Sequence, residues 1–136
     1  MPAAMTQGLH HVGLTVRDLQ ESLRFFVEVL GFTKTDEKPG YPAAFINDGT
    51  NKISLWQAKD PETAQPFERK NTIGLHHLAL AVAPERLDVL HQHLAATPGV
   101  EIEFAPERVG AGPGRHMMCT IPGGLRLEFI APQPAA

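Results

Sequence analysis

The chain has 136 residues, 43% of them hydrophobic and 20% charged, enough for one ordinary globular domain with a buried core. A formal charge of −3, with acids and bases interspersed, excludes the basic stripe of a nucleic-acid binder and the polybasic segment of a membrane-surface protein. No apolar run approaches the ~20 residues of a membrane-spanning helix, the opening MPAAMTQG is not a secretory signal, and the lone cysteine, Cys119, has no disulfide partner, so a cytoplasmic setting is expected.

The first element begins at GLHHVGLTV, where alternation predicts a strand from about Leu9 to Val16. Asp18 then caps a helix, and Glu21 three residues on completes a capping-box pattern. Leu19, Leu23, Phe26 and Leu30 form its apolar stripe, and Gly31 ends it. Three short strands follow in FTKTDE, AAFIND and KISLWQA. The polar stretch KDPETAQPFERKN, with two prolines, reads as a linker. GLHHLALAV then repeats the opening: a strand from Leu75 to Val82, a helix beginning at Pro84 with Leu87, Leu90 and Leu94 on one side, and strands in VEIEFA, HMMCTI and LRLEFIA. APERVGAGPG is a turn-rich loop joining the strands VEIEFA and HMMCTI, and it lacks the ending of a phosphate-binding loop. The prediction is one α+β domain over residues 1–136, made of two βαβββ modules at about 8–57 and 74–131 joined by a linker at about 58–73.

Alternation separates the two histidines of each pair. His10 shares a face with Val12, Leu14 and Val16, and His76 shares one with Leu78, Leu80 and Val82, so these two read as histidines at the edge of the core. His11 stands with Gly13 and Thr15, and His77 with Ala79 and Ala81, small residues that leave open space. On the last strand Leu125, Leu127 and Phe129 form the apolar face, which places Arg126, Glu128 and Ile130 on the other. A carboxylate among apolar neighbours needs a cation or donors. Two imidazoles and one carboxylate are a donor set for a divalent metal that leaves positions free for substrate. The expected metal ligands are therefore His11, His77 and Glu128.

The stretches LHHVGLTVRDLQESLRFFVEVLGF and GRHMMCTIPGGLRLEFIAP resemble the opening and ending of the vicinal oxygen chelate superfamily, and the resemblance runs through both halves. That family includes glyoxalase I, type I extradiol dioxygenases, fosfomycin-resistance transferases, methylmalonyl-CoA epimerase and bleomycin-resistance proteins. The resemblance implies tandem βαβββ modules whose curved mixed sheets enclose a metal cleft. By motif it places the ligands at His11, His77 and Glu128, the three chosen above by face. The position that holds a glutamate in bacterial glyoxalase I aligns here with Ser54, which argues against that reaction, and Gly13 stands where fosfomycin enzymes have threonine. The implied function is a divalent-metal-dependent enzyme on a small substrate with vicinal oxygens, its subclass open between dioxygenase, lyase or isomerase, and transferase. The metal is open among Fe, Mn, Zn, Ni and Mg. A metal-free small-molecule binding protein of the bleomycin-resistance type is the alternative.

Around this set, Ser54 and Trp56 share one face, and the indole is a candidate pocket wall. Arg126 either binds a substrate anion or pairs with an acid, and His116 is a candidate acid or base brought in by closure of the glycine-rich loop, with Glu128 beside it in the chemistry. Cys119 reads as a buried small hydrophobe. The expected partners are a small-molecule substrate and, because sheet edges left open invite self-association, a second copy in a homodimer.

Overall fold

The computed structural model describes residues 2–134; Met1, Ala135 and Ala136 lie outside the described residues. It divides between Ala64 and Gln65 into two compact units. Unit 1 runs β1 (Val12–Val16), α1 (Leu19–Arg24) with a π-helical turn at Phe25–Val29, β2 (Thr33–Lys38), β3 (Ala43–Asn47) and β4 (Lys52–Gln57). Unit 2 runs β5 (Leu78–Ala81), a 3₁₀ turn at Pro84–Arg86, α2 (Leu87–Ala95), β6 (Glu101–Arg108), β7 (Arg115–Thr120) and β8 (Arg126–Ala131). Each is a βαβββ module, and the chain is α+β with two four-stranded mixed sheets ordered β1-β4-β3-β2 and β5-β8-β7-β6. Among the described residues no helix is long and apolar enough to cross a membrane.

The parallel pairs β1–β4 and β5–β8 are forced by the helical crossover between first and second strands, and the hairpins make the other pairs antiparallel. Inside β1 and β5 the alternation predicted from sequence holds. Leu14 and Val16 of β1 are buried while Gly13 and Thr15 are exposed, and Leu80 of β5 is buried between exposed Ala79 and Ala81. The strands start later than predicted, at Val12 and Leu78, so both histidine pairs stand in the segments just before them. That corrects the reading of His10 and His76 as edge-of-core residues, because alternation does not extend back into irregular backbone and both are exposed.

Asp18 caps α1 as expected, its carboxylate accepting the Glu21 N–H at 3.1 Å. The helix does not run evenly to Gly31. At Phe25 the ladder widens to an i→i+5 bond, Leu30 N–H to the Phe25 carbonyl, which rotates the buried side onto Leu19, Ser22, Phe25 and Phe26 and leaves Leu23 and Leu30 half-buried. Phe26 packs edge-to-face with Phe25 and Phe32, at 5.6 and 5.3 Å between ring centres, while α1 lies against β3 and β4. Gly31, at φ 80°, reverses the chain into β2 in a region that other residues adopt only with strain. In unit 2, α2 lays Leu87 and Leu94 on β6 and β8 over Leu127, Phe129 and Cys119, and burial pushes the Cys119 thiol up to about 12, which suits packing rather than nucleophilic chemistry.

Strand β6 runs further than predicted, taking in Pro106, Glu107 and Arg108 from the expected loop. It is a terminal strand, where a proline costs no ladder bond, and its pairing with β7 slips twice, between Ile102 and Phe104 and between Phe104 and Glu107. The segment after β4 is tied to unit 1 by Arg17, which donates to the carbonyls of Pro61 and, at 3.0 Å, Ala64.

Candidate functional site

In unit 2 the β8 register sets Glu128 opposite Ala79 on β5 and Met118 on β7. The alanine leaves room on that face, so the Glu128 carboxylate reaches past it toward His77, which precedes the strand. His77 Nε2 lies 3.1 Å from Glu128 Oε1. On the other flank His116 is paired with Ile130, which makes it the diagonal neighbour of Glu128 on the same face, and its Nδ1 donates to Glu128 Oε2 at 2.5 Å. The Phe104 ring, 4.9 Å from the imidazole, packs against His116. The Glu128 side chain is only 12% exposed, a placement that costs several kcal/mol for a bare carboxylate, and each of its oxygens faces one imidazole. His116 is therefore already beside Glu128 as part of β7, and no loop closure is needed to bring it there, which corrects the earlier expectation.

The protons on this side are traceable because arginine only donates. Arg126, the first residue of β8, gives one guanidinium N–H to His76 Nδ1 at 3.2 Å. His76 Nδ1 is thus an acceptor, and His77 Nδ1, 2.8 Å from it, supplies the proton of that contact. In its neutral form His77 then carries its lone pair on Nε2, facing the Glu128 carboxylate. Two acceptors 3.1 Å apart repel unless a cation or an added proton lies between them.

The spacing suits a shared metal ion, since two donors about 2.0–2.2 Å from one divalent ion and near a right angle to each other stand about 3 Å apart. Glu128 and His77 fit that chemistry as one oxygen and one nitrogen donor. Among the described residues no group of three or more His, Cys, Asp or Glu side chains is arranged to hold a metal ion. The second Glu128 oxygen is turned to His116, so the three unit-2 side chains form a chain of contacts rather than a ring about one point.

In unit 1, His11 is exposed and its Nδ1 stands 2.9 Å from His10 Nδ1. The residue at the register position of Glu128 is Ser54, opposite Gly13 on β1 and Phe45 on β3. Its hydroxyl accepts the Trp56 indole N–H at 2.9 Å, and the indole is flanked by Tyr41 and Phe45 at 4.9 and 6.0 Å, with the Lys38 ammonium over the ring. Trp56 thus belongs to an aromatic cluster anchored on a buried serine.

Arg126 is committed to protein. Its Nε and Nη2 donate to the two Glu103 carboxylate oxygens at 2.9 and 2.7 Å, and Arg69 approaches the same carboxylate at 2.8 Å. Arg126 hydrogen bonding holds the Glu103 carboxyl below its usual range, and Glu103 in turn raises the guanidinium. Arg115 forms a similar fork with Asp88 of α2, at 3.0 and 3.1 Å. The roles of Glu103 and Arg69 were missed in the sequence because their partners lie on other strands; the only signal was a glutamate inside a β-patterned run.

The sequence profile of the Glyoxalase/Bleomycin resistance protein/Dioxygenase superfamily matches residues 8–129. A 2-epi-5-epi-valiolone epimerase from Actinomyces sp is 29% identical over 144 aligned positions, covering 90% of this chain and 78% of that protein. A glyoxylase/bleomycin resistance protein/dioxygenase domain from Frankia sp. EAN1pec superposes with a TM-score of 0.80 at 25% identity, covering 96% of each chain. A variant of the fosfomycin resistance protein FosX from Listeria monocytogenes, solved with Mn(II) and 1S,2S-dihydroxypropylphosphonic acid, shares the fold with a TM-score of 0.72 at 20% identity, covering 93% of this chain and 91% of that one. With the profile spanning both modules and the topology agreeing, the chain belongs to the Glyoxalase/Bleomycin resistance protein/Dioxygenase superfamily, the vicinal oxygen chelate group that its repeated motifs resemble.

Proposed function

We propose that this chain is a divalent-metal-dependent isomerase-type enzyme on a small substrate whose two adjacent oxygens chelate the metal, with His11, His77 and Glu128 as protein ligands. The observation that carries the reading is the pair of acceptors, His77 Nε2 and Glu128 Oε1, held 3.1 Å apart. A divalent ion bound there would supply a Lewis acid that stabilises the enolate formed when a proton leaves the carbon beside a carbonyl. His116 is the proton-transfer residue of this reading: its Nδ1 proton is given to Glu128, so its Nε2 presents the lone pair that takes a proton. Glu128 thereby serves twice, one oxygen toward the metal position and the other orienting the base. Ser54 and Trp56 contribute a substrate wall. Likeness to an epimerase over most of the chain supports proton transfer over oxygen insertion or group transfer. A homodimer belongs to the same reading, since each sheet ends on a short apolar strand, β1 or β5.

Elemental analysis of untagged protein beside its Glu128→Ala variant tests the site, after reconstitution with Mn(II), Co(II), Ni(II), Zn(II) and Fe(II) in turn. Near-stoichiometric metal that the variant loses is expected. Deuterium uptake from D2O by a panel of α-hydroxy ketones, followed by proton NMR, then tests the reaction, and is expected to vanish in His116→Phe. Metal absent from both proteins would overturn the enzyme reading and leave a small-molecule binding protein on the same fold.

A further inference from the structure

We infer that Arg126 is a positioning residue which, through His76, aims the His77 lone pair at Glu128, and that this relay is why the first histidine of the second pair is present. The inference rests on the metal-site reading of His77 and Glu128. It begins at the irregularity in β6: between Ile102 and Phe104 two residues advance against one on β7, and the extra residue is Glu103. A bulge re-aims the side chain at its extra position, and Glu103 meets the guanidinium of Arg126 across the sheet at 2.9 and 2.7 Å.

The geometry of the fork does the rest. With Nε and Nη2 on the Glu103 carboxylate, the plane of the guanidinium is fixed and Nη1 is left to point at His76 Nδ1. The same register that sets Glu128 opposite Ala79 places Arg126 next to the segment carrying both histidines. An arginine N–H arriving at His76 Nδ1 forbids a proton there, and the 2.8 Å contact then requires one on His77 Nδ1. Only in that tautomer is His77 Nε2 free to bind a cation. The Glu103 carboxylate, which Arg69 also approaches, partly offsets the positive charge of the guanidinium beside a position meant for another cation. All three guanidinium nitrogens are engaged with protein groups, Glu103 being the acid of the acid-pairing alternative expected for Arg126. Partners that orient a metal-binding histidine typically change metal affinity 10- to 100-fold when removed.

Two measurements test the relay. Imidazole ¹⁵N spectra of the metal-free wild type should place the His77 proton on Nδ1; a proton found on Nε2 instead overturns the inference whether or not metal binds. Co(II) titration, followed by visible absorption, should give Arg126→Met and His76→Ala each a 10- to 100-fold weaker affinity, with the double variant no weaker than the worse single, because both act on one proton. Wild-type affinity in Arg126→Met, or losses that multiply in the double variant, would reject the relay while leaving the metal site standing. Failure of the wild type to bind Co(II), alongside a His77 proton on Nδ1, would reject the metal reading instead, and with it the purpose assigned to the relay.

Discussion

The two units carry the same register with different chemistry written into it. Gly13, Ser54 and Phe45 form one cross-strand row in unit 1, and Ala79, Glu128 and Met118 form the same row in unit 2. One step along, Ala43 and Trp56 pair in unit 1 where His116 and Ile130 pair in unit 2. The serine of unit 1 accepts an indole N–H and closes an aromatic cluster, whereas the glutamate of unit 2 stands between two imidazoles. The outer partner differs as well: Lys52 occupies the place of Arg126, and among the described residues no side chain of unit 1 orients the His10–His11 pair as Arg126 orients His76. A duplicated frame thus carries a neutral aromatic cluster at one register position and an imidazole–carboxylate chain at its counterpart, and the difference lies in a handful of side chains on one face.

Writing the unit-1 residue into unit 2 should have the largest effect. Glu128→Ser removes the oxygen donor and leaves the His116 N–H without its acceptor, so Co(II) affinity by calorimetry is expected to fall at least about 100-fold, or about 2.7 kcal/mol. The metal-free melting temperature should move far less, because a buried carboxylate's desolvation cost disappears together with its hydrogen bonds. Retained affinity would show that Glu128 is not what separates the two units.

The reverse exchange is smaller and of opposite kind. Ser54 is 3% exposed and Ala43 stands where a histidine donor would be needed, so Ser54→Glu places a carboxylate without partners in a closed position. A loss of about 1–3 kcal/mol is expected in metal-free thermal unfolding, together with the Trp56 hydrogen bond. Co(II) should return part of it, since the new carboxylate would add a fourth donor to the proposed ligand set. An unchanged melting temperature would mean that unit 1 tolerates charge as unit 2 does, and the contrast between them would be weaker than the burial indicates.

Much of this was legible in the residues, because a repeat shows where two halves correspond and alternation shows which side chains share a face. Glu128 and His77 were chosen that way, and the structure sets them 3.1 Å apart. What periodicity could not carry was everything that depends on irregular backbone. The late start of β1 and β5 exposes His10 and His76. The π turn at Phe25 moves the buried side of α1 off Leu23 and Leu30. The slip at Glu103 turns a side chain that strict alternation would have sent elsewhere toward Arg126. Each is a local departure from a regular period, and each decides a contact between segments distant in the chain.

The finest difference between the units is the methyl group that separates Gly13 from Ala79. Gly13 sits at no positive φ, so alanine there is free of backbone strain and should gain about 0.5–1 kcal/mol over glycine in a strand. A Cβ added at Gly13, however, would stand 3.2 Å from Ser54 Oγ and 3.6 Å from Trp56 Nε1. The serine is not free to swing away, because its oxygen accepts the indole N–H at 2.9 Å. Gly13→Ala is therefore expected to be neutral to destabilising by under about 1 kcal/mol in the wild type, and stabilising in a Ser54→Ala background where the crowding oxygen is gone. Chemical denaturation of the four proteins in the cycle measures that coupling, expected at about 0.5 kcal/mol or more. A coupling near zero would mean that the glycine and the serine were not selected as a pair, and that the small residue on β1 keeps space for something other than its own neighbour.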